Sequence, residues 1–455
     1  MAGSQAQRWS SQIAFYLAAI GASVGLGSIW RFPYLAGAHG GSAFVLVFIL
    51  ACLAIATPLL VAEFMLGRRS RRSPPEAAGA VAESFARSRS WNAIGVLGTL
   101  ASFLIMSYYT VIAGWVLAYT WKCAVGEITG LTRPEVGEHF TTFLSNPWRL
   151  GGWHLAFLVL VTLVSARGVN RGIELANKIR APGLLILLCV LVAYALATGD
   201  VERGLAFALA PDFSKLSSAV VLAAIGQAFY ATGVGMAMML AYGAYVPAGV
   251  SLLRSALAIS GSIVLVSLLA TLLVFPLVFQ YGLDPAQGPD LVFRVLPTAF
   301  VEMPGGRVIG TLFFVLLIFG ALTPTIAGME PLVAWCEQRR GMSRRAAVIT
   351  SSVAIWVLGV GSVLSFNVLA QWHPFDAIAW LRGKTVFDAL DFITSNVMLP
   401  LGALLTCLLV GWRLPASFTG TELPEERAGI RRWCRILLRY VCPLAIAAVL
   451  VVALY

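Results

Sequence analysis

Three glycines and an arginine stand inside an apolar run long enough to cross a bilayer: Gly21-Ala22-Ser23-Val24-Gly25-Leu26-Gly27-Ser28-Ile29-Trp30-Arg31-Phe32-Pro33. In hydrocarbon each backbone N–H and C=O needs a partner, so a helix interrupted there survives only where protein or a water-filled cavity surrounds the break. The freed backbone groups are then available to a solute. Gly21 and Gly25 also fit the small-xxx-small spacing of close helix packing, and this stretch alone leaves both readings open. Covalent chemistry finds no support. His39, His139, His154 and His373 lie in or near loops without metal-ligand spacing, and no Ser-His-Asp grouping follows from their order. Cys52, Cys123, Cys189, Cys336, Cys407, Cys434 and Cys442 stand singly, which indicates neither a disulfide framework nor a zinc site.

The elements that must position this stretch are helices. The chain has 455 residues, 59% hydrophobic and 12% charged, with a mean hydropathy of +0.84, outside the range of a soluble enzyme. Runs of about 20 apolar residues, the length of a bilayer crossing, fall near 13–36, 41–66, 92–122, 152–169, 180–198, 217–243, 253–281, 307–337, 346–369, 386–412 and 433–455. These are numbered spans 1 to 11. The fold expected is an all-α, multi-pass membrane protein of one domain. The first run passes straight into the glycine-broken stretch, so no cleaved leader is expected.

The net charge of +11 sits in short connections rather than on a nucleic-acid-binding face. Arg68, Arg69, Arg71, Arg72, Arg87 and Arg89 follow span 2; Arg167, Arg171, Lys178 and Arg180 join spans 4 and 5. Arg339, Arg340, Arg344 and Arg345 follow span 8, and Arg427, Arg431 and Arg432 precede span 11. By the positive-inside rule this face is cytoplasmic, which puts the N-terminus inside and the C-terminus outside the cell (inner) membrane. The opposite loops, Pro211 to Leu216 and Gly288-Pro289-Asp290 to Gly305-Gly306, read as caps over an entrance.

Span 6 carries a second interruption, Gly226-Gln227-Ala228-Phe229-Tyr230-Ala231-Thr232-Gly233-Val234-Gly235-Met236. Spans 1 and 6 are five apart and so run in opposite directions, the signature of inverted repeats whose discontinuous helices meet around a solute. Two matching breaks favour a binding site over packing.

Further motifs occur in one order along almost the whole chain. Gly25-Leu26-Gly27 precedes Trp30-Arg31-Phe32-Pro33, and Pro58 stands with Glu63 and Gly67-Arg68. Pro211-Asp212-Phe213, Gly226-Gln227-Ala228-Phe229, Met303-Pro304-Gly305-Gly306, Ala321-Leu322-Thr323 and Asp391-Phe392-Ile393-Thr394-Ser395-Asn396 follow. With these residues the sequence resembles the neurotransmitter:sodium symporter family, in its bacterial amino-acid transporter branch. The resemblance implies two inverted five-helix repeats, 9–198 and 212–412, with 433–455 appended, and a bundle of spans 1, 2, 6 and 7 moving against a scaffold. It implies a substrate carboxylate on the amides of Leu26 and Gly27 and the hydroxyl of Tyr109. On position alone, that hydroxyl could equally satisfy itself on a neighbouring carbonyl. The rest of the pocket would be Ala22, Ile105, Tyr230, Gly233, Met236, Pro324 and Gly328, roomy enough for a medium or large apolar side chain. Arg31 and Asp391 match the paired outer gate, with Tyr108 and Tyr230 as its aromatic lid, and Glu63 matches an acid that receives hydrogen bonds from the broken helices.

The ion sites depart from the family pattern. At the first sodium site the matching positions are Ser23, Ser28, Ala231 and Ile263, and the last two have no oxygen to offer a hard cation. Phe48 and Ala231 replace two hydroxyls near a chloride position where Gln227 and Ser267 remain, so no chloride is expected. The second sodium site keeps the carbonyls of Gly21, Val24 and Gly320 and the hydroxyl of Thr323, but Pro324 replaces the next hydroxyl. The inner-gate arginine and aspartate fall on Ala6 and Gln338, with Arg8 and Glu337 adjacent. The function expected is secondary active import of an amino acid by alternating access, with sodium symport confined to the second site. The alternatives are a proton-coupled or uncoupled exchanger, with Glu63, Glu330 or Asp391 carrying the proton, and a non-transporting amino-acid receptor. The partners are the amino acid and the lipid bilayer; no nucleic acid is expected.

Overall fold

The computed structural model describes residues 12–168, 175–210, 212–247, 249–286 and 291–454, and among these every regular element is a helix. Among the described residues nine helices are long and apolar enough to cross a membrane, and a tenth counts when the bent pair Phe15–Ser23 and Gly27–Ala38 is taken as one span. The eleventh expected crossing, 217–243, is divided into Ser218–Thr232 and Met238–Ala244, each too short alone. Its division is the reason the expected count of eleven is not reached among the described residues.

Boundaries moved where turn chemistry overrode hydropathy. Span 2 runs Ser42–Ser70 and begins after Gly40 and Gly41, at φ +82° and +65°. A side chain on Gly41 would collide with the Phe207 carbonyl, so that turn requires glycine. Span 9 stops at Leu364 rather than 369, because residues 365–369 leave the helix in turns. Span 4 begins earlier than read, at Pro147 after an Asn146 side-chain cap on the Arg149 N–H. The entrance loop after span 7 holds a helix, Leu296–Glu302, where only a capping turn was read. Pro211, residues 288–290, Arg171 and the inner-gate positions Ala6 and Arg8 lie outside the described residues.

Packing concentrates on the broken spans. Span 8, Gly306–Arg340, lies along span 3, Ala93–Val125, and also touches the first half of span 1. The second half of span 6 packs on span 2 through Gly67 and Gly243, where a Cβ on Gly67 would stand 2.2 Å from the Leu240 carbonyl oxygen. In a bilayer this contact gains dispersion and backbone proximity, which a larger residue would forfeit.

Candidate functional site

In span 1 the helical ladder reaches Val24, whose N–H donates to the Ile20 carbonyl at 2.7 Å. It resumes with the N–H groups of Ser28 and Ile29 on the Gly25 carbonyl at 3.0 and 3.2 Å. The axis bends by 45° across this gap. Span 6 opens through Gly233 at φ +66°, Gly235 at +86° and Ala237 at +58°. The two breaks are tied together: the Gln227 amide, one turn before the second gap, donates to the Gly27 carbonyl at 2.7 Å. A Cβ on Gly27 would touch the Tyr230 ring at 3.1 Å. Glu63 of span 2 braces the second break, its Oε1 accepting the Gly235 N–H at 2.7 Å.

Tyr109 points into the first break. Its hydroxyl is buried, has no carbonyl or side-chain partner among the described residues, and faces the Leu26 amide. It lies 3.4 Å from where a Cβ on Gly25 would stand, with the Pro324 ring and the Gly320 carbonyl on the same side. Of the residues named for the substrate pocket, Ala22, Gly27, Ile105, Tyr109, Tyr230, Met236 and Pro324 line one small cavity. Ser23, Gly25, Met106, Ala231 and Met238 line it too, and were not singled out for it.

The expectation of a roomy pocket is corrected. The cavity holds about 30 Å³. Gly233 and Gly328 do not line it, because the space their missing side chains leave is filled. The Met238 methyl stands 1.7 Å from a Cβ position on Gly233, and the Met106 methyl 2.7 Å from one on Gly328. Methionine is unbranched and adaptable, so this filling is removable.

Above it lies a cavity of about 230 Å³, sharing Tyr109 and Tyr230 with the lower one and lined by Arg31, Tyr108 and Asp391. Arg31 and Asp391, expected to pair, face this cavity without forming an ion pair among the described residues. Arg31 lies over the Tyr230 ring at 4.1 Å, with one guanidinium nitrogen, Nη1, buried and unpartnered. The Asp391 Oδ1 accepts instead from the hydroxyls of Tyr108 and Ser395, each at 3.0 Å. Aromatic contact and local hydroxyl bonds hold the two charges apart.

Among the positions expected of a second sodium site, Gly320 has a carbonyl freed by the sequence. Pro324 has no N–H, so the Gly320 carbonyl loses its helical partner four residues on. That oxygen lies 2.9 Å from a Cβ position on Gly25, directed at the first break. Thr323 makes one long bond, 3.3 Å to the Phe319 carbonyl. At the positions expected of the first sodium site, the side chains of Ala231 and Ile263 are buried without oxygen and the Ser28 hydroxyl is buried without a partner, as is the hydroxyl of Ser267 at the chloride position. On the arginine-rich face, Arg344 grips Glu330 through two nitrogens at 2.8 and 2.7 Å and reaches Glu337 at 3.3 Å. The Tyr245 hydroxyl donates to Glu330 at 3.0 Å, and Gln338 accepts the Ser73 N–H at 2.7 Å.

A membrane bundle with two helices opened against each other, amides and a phenol converging in the first gap, is the architecture of a solute transporter. The sodium:neurotransmitter symporter family model matches residues 6–130 and 147–455, and the chain belongs to that family. A Bacillus subtilis protein named uncharacterized sodium-dependent transporter YhdH is 38% identical over 97% of this chain and 96% of its own. A Haemophilus influenzae protein, likewise named an uncharacterized sodium-dependent transporter, is 30% identical over 99% of both chains. Among solved structures, MhsT in complex with L-phenylalanine superposes with a TM-score of 0.90 at 37% identity, covering 99% of this chain and 100% of that one.

Proposed function

We propose that this transporter imports an amino acid with an apolar side chain of medium or large size, aromatic ones included, by alternating access. The observation that carries the reading is the Tyr109 hydroxyl, buried in the gap of span 1 against the Leu26 amide with no acceptor of its own. A ligand carboxylate there would accept both donors. Burying an unpaired hydroxyl otherwise costs free energy with no return. The likeness to a structure holding L-phenylalanine supports the class of ligand.

A phenyl side chain exceeds about 30 Å³, so entry requires Met106, Met236 and Met238 to swing aside. Sodium is the co-substrate in this reading, held by the Gly21, Val24 and Gly320 carbonyls and the Thr323 hydroxyl, with no chloride. A hard cation accepts such oxygens and completes its shell with water. Binding of sodium at the junction of spans 1 and 8 couples to substrate only if the two favour the same conformation. The N-terminus lies on the cytoplasmic face in this reading, and the two five-helix halves, 9–198 and 212–412, are inverted repeats. The proton-coupled alternative is disfavoured at Glu330 and Glu63: the first is clamped by Arg344, and the second receives a backbone amide.

The test is uptake of labelled L-phenylalanine into proteoliposomes, with sodium inside, outside or replaced by choline. Uptake that follows the inward sodium gradient supports the proposal. Uptake unchanged in choline removes sodium from it, and no uptake or binding of any apolar amino acid removes the substrate class.

A further inference from the structure

Span 11 begins at Ala428 on the arginine-rich face and carries Arg431, Arg432, Arg435 and Arg439 in its first turns. Like charges four residues apart on a helix repel, and Arg435 and Arg439 are so placed. Neither pairs with a carboxylate among the described residues. Arg435 donates to the Leu414 carbonyl at 2.6 Å, yet its Nη1 is buried and unpartnered. Arg439 lies 4.3 Å over the Trp412 ring and 5.6 Å over the Tyr440 ring, with its Nε buried and unpartnered. Of the three acids of the preceding linker, Glu422 is engaged by Arg68 at 3.0 Å and Glu426 by the Ser251 hydroxyl at 3.0 Å, and Glu425 forms no ion pair with either arginine among the described residues.

The frame around the two arginines belongs to a membrane interface. Trp412 is 49% exposed, Trp433 66% and Tyr440 48%, all on the first turns of span 11 or the last turn of span 10. Such rings, amphipathic and outward-facing, settle at headgroup level. The Trp412 indole N–H donates to the Arg439 carbonyl at 2.9 Å and fixes that ring beside the guanidinium. Gly411 lets the helices approach closely, since a Cβ there would stand 2.9 Å from the Leu438 carbonyl oxygen. Exposed Arg413 and Arg432 add positive charge at the rim.

We propose that Arg435 and Arg439, framed by Trp412, Trp433 and Tyr440, bind the phosphate of an anionic phospholipid headgroup. Two uncompensated guanidinium groups held at headgroup depth attract a phosphodiester, whose oxygens accept charge-assisted bonds from the guanidinium N–H groups that the protein neither buries nor engages. The bound lipid relieves the repulsion and fastens span 11 to the end of span 10. The inference rests on the membrane fold and is independent of the substrate.

Native mass spectrometry of the full chain, released from bilayers of equal phosphatidylglycerol and phosphatidylcholine, tests it. The wild type should retain phosphatidylglycerol preferentially. Arg435→Gln with Arg439→Gln should weaken that retention about thirtyfold, from the usual contribution of each basic residue at an anionic surface. Arg435→Lys with Arg439→Lys should keep the preference, as should the remote exposed variant Arg203→Gln. Excess inorganic phosphate at fixed ionic strength should not displace the lipid; displacement would make this a free-anion site and overturn the lipid assignment. No preference in the wild type, or an undiminished one in the glutamine pair, also overturns it. If the glutamine pair does not fold, the wild-type preference and its persistence in the lysine pair decide.

Discussion

Tyr109→Phe separates a hydroxyl kept for a ligand from one kept for the fold. The hydroxyl is buried and faces the Leu26 amide, with no carbonyl to receive its proton. Removing it from the empty protein therefore deletes at most one neutral contact, about 1 kcal/mol. With a carboxylate bound, the same change deletes a hydrogen bond to a charged group, about 1.5–3 kcal/mol. The expected result is a roughly ten- to hundredfold weaker affinity for L-phenylalanine, by the conversion of about 1.4 kcal/mol per decade. The assay is a ligand titration of the purified protein by thermal shift, in which a native-state ligand raises the midpoint. The unliganded midpoint should move little while the ligand-induced rise shrinks. A large fall in unliganded stability with unchanged affinity would refute the reasoning, since the hydroxyl would then be a structural partner.

Thr323→Val removes one of the proposed sodium donors while keeping shape, and should raise the sodium concentration for half-maximal uptake severalfold; a sodium titration of uptake checks it. Gly235→Ala places a methyl 2.5 Å from the Leu399 carbonyl oxygen at φ +86°, and should cost more than the roughly 1–3 kcal/mol of ordinary overpacking. Gly226→Ala, with open space around it, is the matched control for that thermal denaturation. Arg344→Met leaves Glu330 buried without its partner, a loss of about 3–5 kcal/mol, and Glu330→Leu in the same chain should restore much of it, read by denaturation midpoints. In the loop after span 3, burial pushes the Glu127 carboxyl up, but bonds from Lys122 and His139 outweigh it and hold it below the usual range. A depressed acid adds stability above the unfolded value that is lost as pH falls through the folded one. Glu127→Gln should therefore lower stability at neutral pH, leave the acid end nearly unchanged, and so flatten the acid limb of a stability-against-pH curve.

The broken helices were legible because glycine in a hydrophobic run conflicts with the rule that membrane backbone must be satisfied, and that conflict appears at Gly25 and again at Gly233. Gln227, noted at first within the second interruption and beside a chloride position, proved to be the strut between the two gaps. Pocket size was not legible. Gly233 and Gly328 announce missing side chains, but only packing shows that Met238 and Met106 occupy the room. Arg31 and Asp391 were legible as opposite charges at membrane depth and not as a contact: Arg31 lies over the Tyr230 ring, and Asp391 accepts from two hydroxyls. Helix ends such as Leu364 followed local turns that hydropathy does not register.

Pro324 bears on how the proposed sodium coupling can persist in a depleted site. A serine or threonine there would contribute a hydroxyl, but its N–H would also engage the Gly320 carbonyl in the ordinary helical bond. Proline withdraws the hydroxyl and the N–H together, so one side-chain oxygen is exchanged for the undivided lone pairs of one backbone oxygen. That oxygen faces Gly25, at the junction where span 1 bends and where the Tyr109 hydroxyl also points. Ion and substrate would thus meet the same short segment from two sides: the cation through carbonyls before and beside the bend, the carboxylate through amides after it. Opposite charges placed across one turn of backbone stabilise each other's binding geometry, and a four-donor site so placed can still bias the conformation that holds the amino acid.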